Sequence, residues 1–161
     1  MIQLQLVAAP EQLELARILF REYAEGIGVD LGFQDFEEEL RGLPGAYAPP
    51  RGTLILARRC GEAVGCVAVR PLDEETAEMK RLYVRSAARG TGLGRALARA
   101  AIQFAAGAGY RSMRLDTLAH MGEALALYES LGFRSIPPYR YNPLPGAAYM
   151  ELRLRQSVSE G

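Results

Sequence analysis

The chain has 161 residues, enough for one domain whose core folds alone. Apolar residues make up 49% and charged residues 24%, and nineteen basic side chains cancel nineteen acidic ones. That balance excludes the overall field that draws nucleic acid or an anionic membrane, and no apolar run reaches the roughly 18 residues of a membrane span. Residues 1–10 lack the basic start of a signal peptide and read as a strand. Cys60 and Cys66 have neither CxxC spacing nor neighbouring histidines, so they read as packing thiols in a reduced, cytoplasmic setting. With His120 as the single histidine, no metal site is expected.

Residues 2–7 alternate apolar and polar, the period of a half-buried strand. Pro10 ends it, and Leu13, Ala16, Leu19, Phe20 and Tyr23 then recur at helical spacing. A short helix is predicted over 34–43, closed by Pro44-Gly45, and 44–52 reads as a surface loop. Two β-rich runs, 53–59 and 63–70, flank Cys60-Gly61-Glu62 as a hairpin, and 77–84 is the next strand. Leu93, Leu97, Ala101, Phe104 and Ala108 mark the buried face of a long helix that ends at Gly107 and Gly109. A strand over 111–116 follows, then a helix carrying Met121, Ala124, Leu125, Tyr128 and Leu131 that stops at Gly132. Strands over 133–136 and 147–154 flank a proline-rich loop, 137–146. The order predicts a single α/β (α+β) domain over 1–155, with a mixed sheet, and a polar tail over 156–161.

Between the strand ending at Val84 and the long helix lies Arg89-Gly90-Thr91-Gly92-Leu93-Gly94. A glycine-rich turn at a helix start leaves backbone N–H groups unpaired and lets a ligand approach them. With the helix dipole, the turn suits a phosphate or pyrophosphate. It is not a Walker loop, because no lysine follows the glycines. It also breaks the dinucleotide fingerprint, since Arg95 or Leu97 stands at the last glycine position, although Asp116 has the spacing of a ribose contact.

This order of elements resembles the GNAT superfamily of N-acetyltransferases. The family's cofactor loop is present as Arg89-x-x-Gly92-x-Gly94, and a second element as Ala124-x-x-Leu127-Tyr128-x-x-x-Gly132-Phe133. The resemblance implies a mixed central sheet of about seven strands flanked by about four helices, with acetyl-CoA across the point where two parallel strands splay. Its pyrophosphate would rest on the backbone of Arg89, Gly90, Thr91, Gly92, Leu93 and Gly94, with Arg95 as an added charge. Leu82, Tyr83 and Val84 would offer main-chain groups to the pantetheine arm, like an added strand. The chain departs from the family at Met121, where many relatives carry a cofactor-binding asparagine. That contact is then either lost or supplied elsewhere, by Thr117 or His120.

By the same resemblance, Tyr128 would protonate or solvate the departing thiolate, and the Leu82 N–H would hold the oxyanion. Glu78 is the candidate base, with a pKa raised by partial shielding. Strand alternation places Glu78, Lys80 and Leu82 on one face unless a bulge intervenes. For the acceptor, a small amine, the family's construction points to Tyr23, Arg140, Tyr141 and Asn142. Glu25, Tyr47, Arg51 and Tyr149 lie in the same segments, and Glu22 or Glu25 is placed to attract a cationic amine. Arg140 beside aromatic residues suits an acceptor that carries a carboxylate. Relatives often dimerise, and the last strand is the expected contact of a homodimer. The alternatives are a non-catalytic acyl-CoA-binding module, a protein N-acetyltransferase and a nucleotide-dependent oxidoreductase.

Overall fold

Apolar residues at alternating and helical spacing need a sheet covered by helices, and the chain builds one. The structure is a computed structural model that describes residues 2–27, 35–118, 122–140, 142 and 146–154. Its strands are β1 (Ile2–Leu6), β2 (Thr53–Arg59), β3 (Glu62–Pro71), β4 (Thr76–Val84), β5 (Ser112–Leu118), β6 (Arg134–Ile136) and β7 (Ala147–Arg153). Its α-helices are α1 (Pro10–Ile27), α2 (Phe36–Arg41), α3 (Leu93–Gly107) and α4 (Gly122–Ser130). One seven-stranded sheet runs in the order β1-β2-β3-β4-β5-β7-β6. Every adjacent pair is antiparallel except β4 with β5, which is parallel, so the sheet is mixed as expected.

Two cores fill the two faces. Val67, Val69, Met79, Leu97, Ala101 and Met113 pack where α3 and α4 cover the sheet. Leu19, Phe20, Leu40, Leu56, Cys66 and Ala68 pack beneath α1 and α2. The β2–β3 hairpin closes through Cys60 and Gly61, both at positive φ (53° and 82°), as a two-residue turn of this hand requires.

Three expectations change. The segment 44–52 is not wholly a surface loop. It forms a 3-10 turn, Gly45–Tyr47, and buries Tyr47 against Phe20, ring centroids 6.1 Å apart. The last strand is not an edge, because β7 pairs with β5 on one side and β6 on the other. A dimer contact through its backbone is therefore closed where β6 covers it, and the free edges are β1 and β6. At the β1 edge, Leu4 and Leu6 are exposed (42% and 63%), and no further strand among the described residues pairs there.

The third change is in β4. Ladder partners run Ala68↔Lys80 and then Cys66↔Tyr83, so Arg81 and Leu82 together oppose Val67. Arg81 sits at φ 61°, a left-handed conformation that costs a non-glycine residue about 1–2 kcal/mol. This β-bulge breaks the alternation on which the shared face depended. Glu78 and Lys80 face the α1/α2 side with their partners Arg70 and Ala68, whereas Leu82 and Val84 join the core beneath α3. Buried Arg81 is held by Glu39 of α2 through two hydrogen bonds (Nε to Oε2 3.0 Å, a terminal nitrogen to Oε1 2.9 Å). Its guanidinium lies over the rings of Phe36 (5.2 Å) and Tyr23 (5.7 Å).

Two stability predictions follow from this packing. A Cβ at Gly52 would lie 2.7 Å from the carbonyl oxygens of Ala46 and Val69 and from Tyr47 Cα. All three are backbone atoms, so Gly52→Ala should cost about 1–3 kcal/mol in urea unfolding, as overpacking does. Glu39→Gln leaves a buried guanidinium without its counter-charge and should cost about 3–5 kcal/mol by the same measurement.

Candidate active site

β4 and β5 pair only over Thr76–Glu78 and Ser112–Arg114, and the parallel ladder stops there. Beyond it the strands part, leaving a cleft of about 560 Å³, within the size range of small-ligand sites. Leu82, Tyr83 and Val84 line one wall, the glycine turn forms its far end, and Gly122 to Ala124 at the start of α4 and Tyr23 of α1 complete it. The structure thus brings together the β4 residues and the glycine turn that the sequence marked.

The turn is open to a ligand. Gly90 and Gly92 lie at φ 80° and 81°, with nothing within 4 Å of where a Cβ would stand. Gly92 is the N-cap of α3 and no side chain caps that end, so the first-turn N–H groups point toward the cleft with the helix dipole behind them. Thr91 turns its hydroxyl back to the Ala88 carbonyl (2.6 Å) and leaves the opening to backbone. Arg89 donates from Nε to the Val84 carbonyl (3.0 Å), and Arg95 donates to Ser130 Oγ (2.8 Å) on α4. Arg95 is therefore oriented by α4 rather than by the turn. A diphosphate fits this end of the cleft: bare amides, positive dipole and Arg89 in the lining.

Tyr128 is buried on α4 with its ring edge against Phe133, centroids 5.7 Å apart. Burial, reinforced by Tyr23 and Asp116, pushes its phenol well above the ordinary tyrosine range. Those two neighbours belong to α1 and to β5. The phenol stays protonated at neutral pH and has a proton to donate.

On the α1/α2 side of β4 lies a second, charged site. Glu78, wholly buried, accepts hydrogen bonds from Arg70 Nε (2.8 Å), from the Tyr139 hydroxyl (2.7 Å) and from Arg140. Burial pushes its carboxyl up, but Lys80, Arg140 and Arg70 together outweigh that and hold it below the usual range. The raised pKa expected for Glu78 is thus not found, because three donors stabilise its charged form. On β5, Arg114 pairs with Glu151 of β7 (2.7 Å), and Asp116 accepts from Asn142 Nδ2 (3.2 Å). The Tyr149 hydroxyl donates to the Arg140 carbonyl (3.1 Å) and its ring meets that of Tyr139 at 5.4 Å.

Arg140, Tyr149 and Glu78 therefore form one cluster, with Asn142 joined to Asp116 of β5, whereas Tyr23 lines the cleft and packs against Tyr83 and Arg81. Tyr141, His120 and Met121 lie outside the described residues. Thr117 sits on β5 opposite Ala148. Arg51 does not join the site: it donates to the Asp73 and Glu74 carbonyls (3.0 Å each) at the far end of β4. Glu22 is occupied by Arg85 (2.6 and 2.9 Å) and by the Tyr83 hydroxyl (3.1 Å). Asp116 is placed beside Asn142 and not on the glycine turn, so its spacing as a ribose contact has no counterpart in the fold.

Residues that the motifs did not mark are Arg70, Lys80, Tyr139, Arg114 and Asp116 as part of the charged surface. The available signal is in β4 itself. Glu78, Lys80 and Arg81 place three charges in a central strand, where both faces are normally apolar.

The family model described as the acetyltransferase (GNAT) family matches residues 13–133. An uncharacterized N-acetyltransferase of Schizosaccharomyces pombe is 42% identical over 155 residues, 95% of this chain and 95% of that protein. The human N-acetylaspartate synthetase is 39% identical over 99 residues, which cover 61% of this chain and 33% of that protein. Among solved structures, yncA from Salmonella typhimurium with its cofactor acetyl-CoA superposes at TM-score 0.70 with 19% identity, covering 99% of this chain and 98% of that one. The glycine turn, the splayed strands and the tyrosine helix thus coincide with a match that spans most of the sequence, and the chain belongs to the GNAT family of acetyltransferases.

Proposed function

We propose that the protein transfers the acetyl group of acetyl-CoA to the amine of a small, amino-acid-like acceptor. The observation that carries this reading is the pair of sites on either side of the β4 bulge: an open glycine turn closing an apolar-walled cleft, and a charged surface on the opposite face. Acetyl-CoA brings an already activated thioester, so the chain's own residues have to position, neutralise and move protons. The amides from Arg89 to Gly94 would hold the diphosphate. The parted β4 main chain at Leu82, Tyr83 and Val84 would hold the pantetheine arm, with the Leu82 N–H facing the developing oxyanion. As the amine nitrogen bonds to the acetyl carbon and the carbon–sulfur bond breaks, Tyr128 would give its proton to the thiolate.

Glu78 keeps its place on the acceptor side, in an anchoring role. Its oxygens fix Arg70 and Arg140, which are themselves part-exposed (28% and 20% of their side chains). One carboxylate shared by two guanidiniums leaves net positive charge, which suits an acceptor with a carboxylate beside its amine. The N-acetylaspartate synthetase named among the relatives acts in that chemical class by its name, and the yncA complex supports the cosubstrate. The acceptor-binding group is then Tyr23, Arg140 and Asn142, with Tyr141 adjoining in sequence.

Three measurements test this reading. Coenzyme A at a hundred times its Kd should stabilise the fold by about 2.7 kcal/mol, read as a rise in Tm. Mixing protein, acetyl-CoA and each of the proteinogenic amino acids should release free thiol with at least one of them. Binding of coenzyme A with no thiol release from any amine would favour a non-catalytic module. Tyr128→Phe should lower kcat by about 10²-fold and leave the coenzyme A Kd within about twofold.

A further inference from the structure

Of nineteen cationic side chains in the chain, eighteen are arginines and one, Lys80, is a lysine. That lysine is not on the surface, where lysines ordinarily stand. It is 6% exposed, in the middle of β4, on the same face as Glu78 and one residue before the bulge. The main chain at Leu82, the part of β4 that walls the cleft, begins two residues further on. Along β4, Lys80 therefore lies between Glu78 of the charged cluster and the bulge after which Leu82 walls the cleft.

We propose that Lys80 is the group that takes the proton from the acceptor amine. The role presupposes the acetyl transfer proposed above and adds its missing proton acceptor. The nitrogen–carbon bond forms, the carbon–sulfur bond breaks, Tyr128 protonates the sulfur, and the proton lost by the amine passes to the neutral Nζ of Lys80; exchange with water then returns a proton to the Tyr128 phenolate and removes one from the Lys80 ammonium. Glu78 is unsuited to that task, because its two oxygens already accept from Arg70, Tyr139 and Arg140. The arginines are unsuited as well, since a guanidinium does not release its proton in a protein. An amine can.

The surroundings of Lys80 set its charge state. Burial acts first and favours the neutral amine. Arg81 on β4 and Arg70 on β3 act in the same direction, while Glu78 on β4 and Asp116 on β5 oppose them. Arg140 faces the cluster from the loop before β7 through Glu78, and Glu39 of α2 through Arg81. The balance lowers the Lys80 ammonium to a pKa of about 7, where a general base works best at neutral pH.

A single lysine makes the test direct. Protein without an added lysine-bearing tag, grown on lysine labelled with 13C at Cε, gives one side-chain resonance whose pH dependence reads Nζ itself. The expected midpoint is near 7; a midpoint at the ordinary lysine value of about 10.4 would overturn the proposal in wild-type protein, with no variant involved. In turnover, the amino acid that releases most thiol from wild type serves as the probe. With it, kcat should rise with pH through the same midpoint. Lys80→Arg and Lys80→Met should each lose about 10²-fold in kcat and lose that rise, while coenzyme A still raises their Tm. Glu78→Gln should keep the rise and move it to lower pH, because Glu78 is one of the charges that retain the Lys80 proton. The opposite pattern, with the rise abolished in Glu78→Gln and intact in Lys80→Met, would make Glu78 the base. Absence of thiol release from wild type overturns the transfer reading and this role together; release that survives Lys80→Met with its pH dependence unchanged overturns this role alone.

Discussion

The bulge at Arg81 and Leu82 is the constraint from which the site takes its shape. A regular β4 would keep Glu78, Lys80 and Leu82 on one face, and continued pairing with β5 would leave no cleft. One extra residue changes both. It moves Leu82 and Val84 to the α3 side and frees main-chain groups from the ladder, where the parallel pairing with β5 has already ended. A left-handed arginine is an unfavourable way to make that turn, and it persists because the side chain is over-determined. Glu39 accepts from two of its nitrogens, and Phe36 and Tyr23 stack beside it. The short helix α2 therefore acts on the site through one ion pair, and the geometry of β4 and the position of α2 are a single fact.

On the other side of the bulge, the openness of the glycine turn comes from omission. Helix α3 begins at a glycine with no side-chain cap, and Thr91, the one hydroxyl in the turn, is directed to Ala88. A serine or aspartate at the N-cap would satisfy the first-turn amides and stabilise the free helix by about 1 kcal/mol. The chain forgoes that stability and leaves these amides uncapped by any side chain. Gly65 serves the same end at one remove: a Cβ there would lie 2.9 Å from the Tyr83 carbonyl and 3.0 Å from Leu97, so α3 can sit close against β3 only over a glycine.

What could be read from the sequence was local. The glycine turn, the tyrosine helix and the hairpin at Cys60-Gly61 each lie within a few residues, and each stands where spacing placed it. The bulge was not legible, because arginine carries no signal for positive φ. The donors on Glu78 were equally hidden, as they come from Arg70, eight residues before it, and from Tyr139 and Arg140, some sixty residues after it. A carboxylate judged by its own strand looks like a shielded base. Judged with its donors it is a saturated anion, held low by the charges that the fold adds.

The contrast between the arginines and the lysine on this surface follows from how each answers burial. A guanidinium keeps its charge, so each buried or half-buried arginine here has a carboxylate: Arg81 with Glu39, Arg114 with Glu151, and Arg70 and Arg140 on Glu78. An ammonium in the same field has a second way to lower its energy, which is to lose a proton. Fixed positive charges that would merely be costly next to another arginine instead set the protonation of a lysine. The ion pairs that tie β4 to β3 and to α2, Glu78 with Arg70 and Arg81 with Glu39, are then also part of the field in which Lys80 titrates, so the packing of the charged surface and its chemistry cannot be altered separately.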